Sequence, residues 1–237
     1  MRTVWVALVI VVATIILATL GIVGSIFERK GKSIAFVARL WSKVVMSAAG
    51  VKYKVVGLEN LDPDAGYIFA GNHESAFDIP LAFAGLPYQM VSISKKELAK
   101  IPIFGWAMAA GKHIFVDRKN HARALESLKK AEESLKKYPR SILLFPEGTR
   151  STDGIIKKFK PGGMILGMNC NMSIVPIAIC GTFDVNVKGS LKLVPGNTEL
   201  RIGKPIATDG FTYDDRNDLA EKVRSEVVKL KDSWQRP

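Results

Sequence analysis

The sequence predicts an α/β fold, a largely parallel sheet flanked by helices, with an N-terminal membrane-associated helical segment in front of it. Two observations carry this. From residue 51 onward short apolar runs alternate with helical stretches, the order that strand–helix–strand units produce. Before residue 51 the chain is apolar almost throughout, and residues 3–27 carry no charge. The expected organisation is therefore residues 1–50 as membrane-anchoring helices and residues 51–237 as the α/β domain.

The first apolar run reaches roughly 37 Å as a helix at about 1.5 Å per residue, and a bilayer core needs about 20 residues. A cleaved signal sequence is the rival reading, but its apolar region is typically about 7–15 residues, so an uncleaved anchor is expected. Arg29, Lys30 and Lys32 follow the run and only Arg2 precedes it. By the positive-inside rule this places the bulk of the chain at the cell membrane on its cytoplasmic side. Residues 33–49 form a second helix, apolar but carrying Arg39 and Lys43 four positions apart on one face. It reads either as an interfacial helix or as a core helix of the domain. The two helices form a span or a hairpin in one leaflet; the sequence leaves both open.

Strands are expected at residues 53–56, 67–70, 90–94, 114–116, 141–145, 174–179, 191–194 and 200–202. Helices are expected at 79–84, 103–110, 120–138, 162–168 and 214–233. The stretch 101–110 is apolar nearly all round, between Lys100 and Lys112; it lines a channel for an apolar chain, rests on lipid, or is a plain buried helix.

Lys and Arg total 34 against 22 Asp and Glu, a net charge of +12. That balance favours an anionic partner, nucleic acid or an anionic membrane surface. The basic residues build no nucleic-acid recognition module, and the apolar N-terminus argues for the membrane. The two cysteines, Cys170 and Cys180, form no CxxC pair and fit buried fillers better than a disulfide or a metal site; no metal is expected.

Two polar clusters follow strand-like runs. Asn72-His73-Glu74-Ser75-Ala76-Phe77-Asp78 comes after 67–70, and Phe145-Pro146-Glu147-Gly148-Thr149-Arg150 comes at the end of 141–145. Open α/β sheets place ligand sites at the carboxyl ends of strands. Neutral His is a general base near pH 7, and a carboxylate on its other nitrogen fixes the tautomer. On a regular helix His73 and Asp78 point about 140° apart; they meet only if the segment is a turn leading into a helix. Alone, each residue also has a plain structural reading, Asp78 as a helix-start carboxylate and His73 as a loop histidine. No Gly-x-Ser-x-Gly elbow is present, and Ser75 is a lesser candidate nucleophile. Gly31-Lys32-Ser33 lacks the preceding Walker glycine, so ATP is not implied.

Together these clusters resemble the signature of the glycerophospholipid acyltransferase family, Asn-His-x-Ser-x-x-Asp joined to Phe-Pro-Glu-Gly-Thr-Arg. Ile114-Phe115-Val116-Asp117-Arg118 is similar to its second block, with His113 where the family usually has Gly. Phe159-Lys160-Pro161-Gly162 and Val175-Pro176-Ile177 extend the match, which covers about residues 72–178. The resemblance implies acyl transfer from an acyl thioester to the free hydroxyl of lysophosphatidic acid, giving phosphatidic acid, with His73 and Asp78 as the catalytic dyad. It implies Arg118, Glu147, Gly148, Thr149, Arg150 and Lys160 around the glycerol-phosphate acceptor. It implies acyl-CoA or acyl carrier protein as co-substrate, no further cofactor, the lipid bilayer as partner and no nucleic acid. The alternatives are a related acyltransferase or transacylase using glycerol 3-phosphate or another lysolipid, and a non-catalytic membrane-surface binder.

Overall fold

A computed structural model describes residues 2–28, 30–117 and 121–236. Two helices come first, α1 (Arg2–Phe27) and α2 (Lys32–Ala48). The domain then runs β1 (Val51–Val56), β2 (Ile68–Gly71), α3 (Asp78–Gly85), β3 (Met90–Lys95), α4 (Phe104–Ala110), β4 (Ile114–Val116), α5 (His121–Lys137) and β5 (Ser141–Leu144). It ends with α6 (Gly162–Cys170), β6 (Ile174–Cys180), α7 (Thr182–Val185), β7 (Gly196–Ile202) and α8 (Arg216–Asp232).

The seven strands make one sheet in the order β1-β7-β6-β2-β5-β3-β4. All pairs are parallel except β6 with β7, as a largely parallel sheet requires. The central strands β2, β5 and β6 are buried at every position, which is why they read as continuous apolar runs rather than alternating ones. Alternate residues serve the two faces. Phe69, Leu143, Val175 and Ile177 meet α2 and α3. Ile68, Ile142, Leu144 and Ile174 meet α5, α6 and α8.

The N-terminal helices are part of this packing. Val45 and Met46 of α2 and Ala49 just after it join the core cluster, and so does Val6 of α1, fully buried. Trp41 Nε1 donates to Thr14 Oγ1 at 2.9 Å. A side chain at Gly21 would meet Ile34 Cδ1 at 2.9 Å, so glycine permits the close approach of α1 and α2 there. Most of α1's other side chains remain exposed, and the helix is long and apolar enough to cross a membrane. Arg39 does not stand beside Lys43 as a free cation: its Nη2 donates to Leu86 O at 3.3 Å and Tyr88 O at 3.1 Å. It fastens α2 to the α3–β3 turn, while Lys43 is exposed.

One expected strand is absent. Residues 191–194 are loop, and β7 starts at Gly196 rather than 200. The Asn186 side-chain amide donates to Ser190 O at 2.9 Å and Lys192 O at 3.2 Å, engaging carbonyls that a ladder would need. Pro195 then interrupts the run without an N–H to give.

Candidate active site

The site is built at the carboxyl ends of β2 and β5, where each chain leaves the sheet. Asn72 continues β2 by side chain: its Oδ1 accepts Ile179 N at 2.8 Å and its Nδ2 donates to Ile179 O at 2.8 Å. This fixes the start of the turn that carries His73. Asp78 is the first residue of α3, so the segment is the turn into a helix that the His–Asp spacing demands.

His73 Nδ1 lies 2.7 Å from Asp78 Oδ2. The same oxygen accepts Glu74 N at 2.6 Å and Ser75 N at 2.9 Å, and Oδ1 accepts the Thr182 hydroxyl at 2.5 Å. Four donors thus converge on a carboxylate that is fully buried, and against that acceptor Nδ1 is the ring nitrogen that donates. Nε2 is left as the basic one. The His73 side chain keeps 12% exposure, and its ring stacks on Phe145 at 4.2 Å and 13°. The ring is therefore oriented from two sides.

Glu147 binds the two loops together. Its Oε1 accepts His73 N at 2.8 Å and its Oε2 accepts Lys157 N at 3.0 Å. Burial pushes its carboxyl upward, opposed by those amides. Both oxygens are committed to backbone amides, so Glu147 ties the His73 loop to the Lys157 segment. Gly148 takes φ 77° in the turn, and a side chain there would lie 3.0 Å from Lys160 Nζ. The Lys160 ammonium therefore overhangs the turn. Ser151 N donates to His73 O at 2.7 Å, which sets Arg150 one residue from the dyad loop. Thr149 is exposed, and its Oγ1 accepts Lys188 Nζ at 3.1 Å. His73, Asp78, Glu147, Gly148, Thr149, Arg150 and Lys160 are thus one neighbourhood. Arg118 lies outside the described residues; beside it Asp117 is buried and pairs with Lys96 at 2.5 Å. Ser75 is fully buried, with its hydroxyl donated to Asn186 O at 2.9 Å, a placement that suits a structural role and not a nucleophile.

Beside α3 lies an apolar cleft. Its lining includes Ile79, next to Asp78, and Trp41, Phe83, Phe104 and Met108 from α2, α3 and α4. The stretch 101–110 is thus split: Phe104 and Met108 face the cleft while Trp106 is 61% exposed. His113 also lines it. Burial, reinforced by the Arg140 guanidinium, lowers the His113 pKa to about 4, so it is a neutral wall residue; its Nδ1 lies 2.9 Å from Ser92 Oγ. Where glycine was expected before β4, the close approach is made instead at Gly111, where a side chain would meet Ile34 Cγ2 at 2.5 Å.

Two partners gave no sequence signal. Thr182 reaches Asp78 from a residue 104 positions away. Lys231 of α8 pairs with buried Glu74 and donates to Gly154 O at 3.0 Å. Contacts of this kind exist only once α7 and α8 are docked.

A family model described as Acyltransferase matches residues 52–180, more than half of the chain. The chain belongs to the acyltransferase family. Among relatives, the 1-acyl-sn-glycerol-3-phosphate acyltransferase of Saccharomyces cerevisiae is 34% identical over 193 residues, 81% of this chain and 63% of its own length. That of Limnanthes douglasii is 32% identical over 188 residues, 79% of this chain and 66% of its own. The chain thus spans slightly under two thirds of the length of these curated relatives. The crystal structure of the 1-acyl-sn-glycerophosphate acyltransferase from Thermotoga maritima aligns over 100% of both chains with a TM-score of 0.77 and 28% identity. The mostly parallel sheet and the N-terminal helices belong to this acyltransferase architecture.

Proposed function

We propose that this acyltransferase moves an acyl group from a thioester to the free hydroxyl of lysophosphatidic acid, giving phosphatidic acid, as a 1-acyl-glycerol-3-phosphate O-acyltransferase. The observation that carries the reading is the 2.7 Å contact between His73 Nδ1 and Asp78 Oδ2 on a ring that keeps 12% of its side-chain surface exposed. His73 Nε2 takes the proton of the acceptor hydroxyl as its oxygen attacks the thioester carbonyl. Asp78 stabilises the imidazolium that forms. The carbon–sulfur bond breaks, and the proton passes from His73 to the departing sulfur. The step needs no metal or redox group.

Arg150 and Lys160 suit the acceptor's phosphate, since a guanidinium fork and an ammonium both match its oxygens. Arg118 is assigned to the same anion from its place in the sequence. The cleft beside Ile79 suits the acyl chain, being lined mostly by apolar side chains. The donor is acyl-CoA or acyl carrier protein. The exposed apolar face of α1 supports attachment to the lipid bilayer, with the domain on the cytoplasmic side of the cell membrane. The names of the relatives support lysophosphatidic acid over another lysolipid.

Purified protein in micelles with a panel of lysolipids and labelled acyl thioesters tests this. Phosphatidic acid should form from lysophosphatidic acid and vanish in His73→Ala. A faster reaction with another lysolipid would move the activity within the class. Lipid binding without turnover would make the chain a surface binder.

A further inference from the structure

The loop from residue 186 to 195 holds an apolar run that the core does not take up. Leu191 is 86% exposed, Val194 40% and Val187 38%, with exposed Lys188 and Lys192 between them. The loop is built rather than slack. The Asn186 side chain braces it from inside, and Val194 N donates to Val185 O at 3.0 Å across its base. Leu193 turns the other way and packs on the core cluster that contains Val185 and Val6. An ordered loop that presents a large apolar side chain to water marks an interaction surface.

Its two ends show what that surface meets. On one side Lys188 Nζ donates to Thr149 Oγ1 and to Arg150 O, both at 3.1 Å, and Asn186 O accepts the Ser75 hydroxyl. On the other side a side chain at Gly50 would lie 3.3 Å from Pro195 Cβ and 3.9 Å from Arg2 Nη1. The loop therefore runs from the acceptor site to the N-terminal end of α1, where Val4 is 73% and Trp5 59% exposed.

We propose that residues 187–194 are a second membrane contact, in which Leu191 enters the lipid surface while Lys188 and Lys192 lie among anionic headgroups. Lysines flanking apolar side chains suit that boundary, with stems in the apolar layer and ammonium groups at headgroup level. Each cation near an anionic leaflet adds attraction, and the chain's net charge is +12. The surface is continuous with the exposed end of α1. Because the loop also holds Ser75 and the Thr149–Arg150 turn, lipid contact here fixes His73 at headgroup depth. The inference rests on the proposed function for the acceptor's being a lipid, but its primary test needs no turnover.

The test uses the full chain with Leu191→Cys carrying an environment-sensitive NBD dye, and with Cys170→Ser. Cys180 is fully buried, with its thiol pushed up to about 12, and does not compete for the dye. Phosphatidylcholine vesicles with and without phosphatidylglycerol are added, and bound protein is measured by co-sedimentation. On anionic vesicles the dye should brighten severalfold and shift to the blue, while a dye at Lys222→Cys on α8 stays in water. A dye at 191 that stays in water on co-sedimented protein overturns the proposal, as does a response to acidic acyl carrier protein in place of vesicles. In parallel, Leu191→Asp should raise the KM for acceptor in anionic vesicles about tenfold or more and leave turnover in micelles unchanged. Equal behaviour in both media overturns the proposal. Loss of turnover in the unaltered chain would refute the function and leave the dye result standing.

Discussion

The backbone amide of His73 donates to Glu147 Oε1 at 2.8 Å, so the acidic residue of one motif holds the main chain of the other. The second oxygen of Glu147 accepts Lys157 N at 3.0 Å. Glu147→Gln has one oxygen for two amides, and its NH₂ meets the other as donor against donor. An unsatisfied buried donor costs about 1–3 kcal/mol. Turnover should fall with little change in donor KM, and unfolding should begin at lower temperature. A Gln variant with full kcat would show that the link between the loops does not position His73.

Asp78 receives four donors, from His73, Glu74, Ser75 and Thr182. Asp78→Asn must turn its NH₂ toward at least one of them, so the turn into α3 distorts as well as losing its charge. Rate should fall by about 10²–10⁴-fold, the scale of general-base loss, together with a measurable drop in Tm. Thr182→Val removes one neutral donor and leaves the other three, so it should cost far less rate. If Thr182→Val were as damaging as Asp78→Asn, the carboxylate's charge would not be what matters.

Arg150 sits one residue before the Ser151 amide that donates to His73 O. Arg150→Ala should raise acceptor KM by about 10- to 100-fold, the scale of lost charge-assisted hydrogen bonds, with donor KM nearly unchanged. Arg150→Lys should recover only part, since an ammonium lacks the planar fork. Steady-state kinetics with each substrate varied separately decides this. A raised donor KM alone would exchange the two pockets.

The His73–Asp78 contact and the turn at Glu147–Arg150 were legible because each is written in contiguous residues at the end of an apolar run. The central strands were legible for a related reason: burial on both faces leaves only apolar side chains to choose from. The strand expected at 191–194 failed because the apolar run there is held outside the sheet by Asn186, and no local pattern separates a buried apolar run from an exposed one. The roles of Thr182, Lys188 and Lys231 at the site depend on segments 39 to 157 residues away from their partners. Periodicity carries no such long-range information. Arg39 is a milder case: spacing put it on a face with Lys43, and the carbonyls of Leu86 and Tyr88 took it away.

His113 provides a pH prediction. Its pKa lies at about 4 in the fold, and an unfolded histidine titrates near 6.5. The unfolded chain therefore binds a proton that the fold does not across this window. Stability is complete above about pH 6.5 and declines as pH falls toward 4, by up to about 3 kcal/mol. Thermal unfolding in micelles should show Tm falling through that range, with a shallower decline in His113→Gln. Parallel declines in the two proteins would assign the effect to other groups.

The first helix gives the last prediction. An anchor that merely tethers the domain can be removed without harm, and the sequence alone permits that view because residues 3–27 end well before β1. The packing does not. Val6 is fully buried in the cluster shared with Phe69 and Ile177, Thr14 holds the Trp41 indole, and Gly21 lets α1 close on Ile34. Residues 28–237 alone would uncover that apolar surface of α2 and leave a cavity where Val6 stood. Opening such surface costs on the order of 25 cal/mol per Å², which over one helix face is a large part of a domain's marginal stability. The truncated chain should melt at clearly lower temperature than the full chain in the same detergent and should aggregate on dilution. Val6→Ala should shift Tm in the same direction by a smaller amount. Equal melting of truncated and full chains would show that α1 is a tether and that its packing on α2 carries no stability.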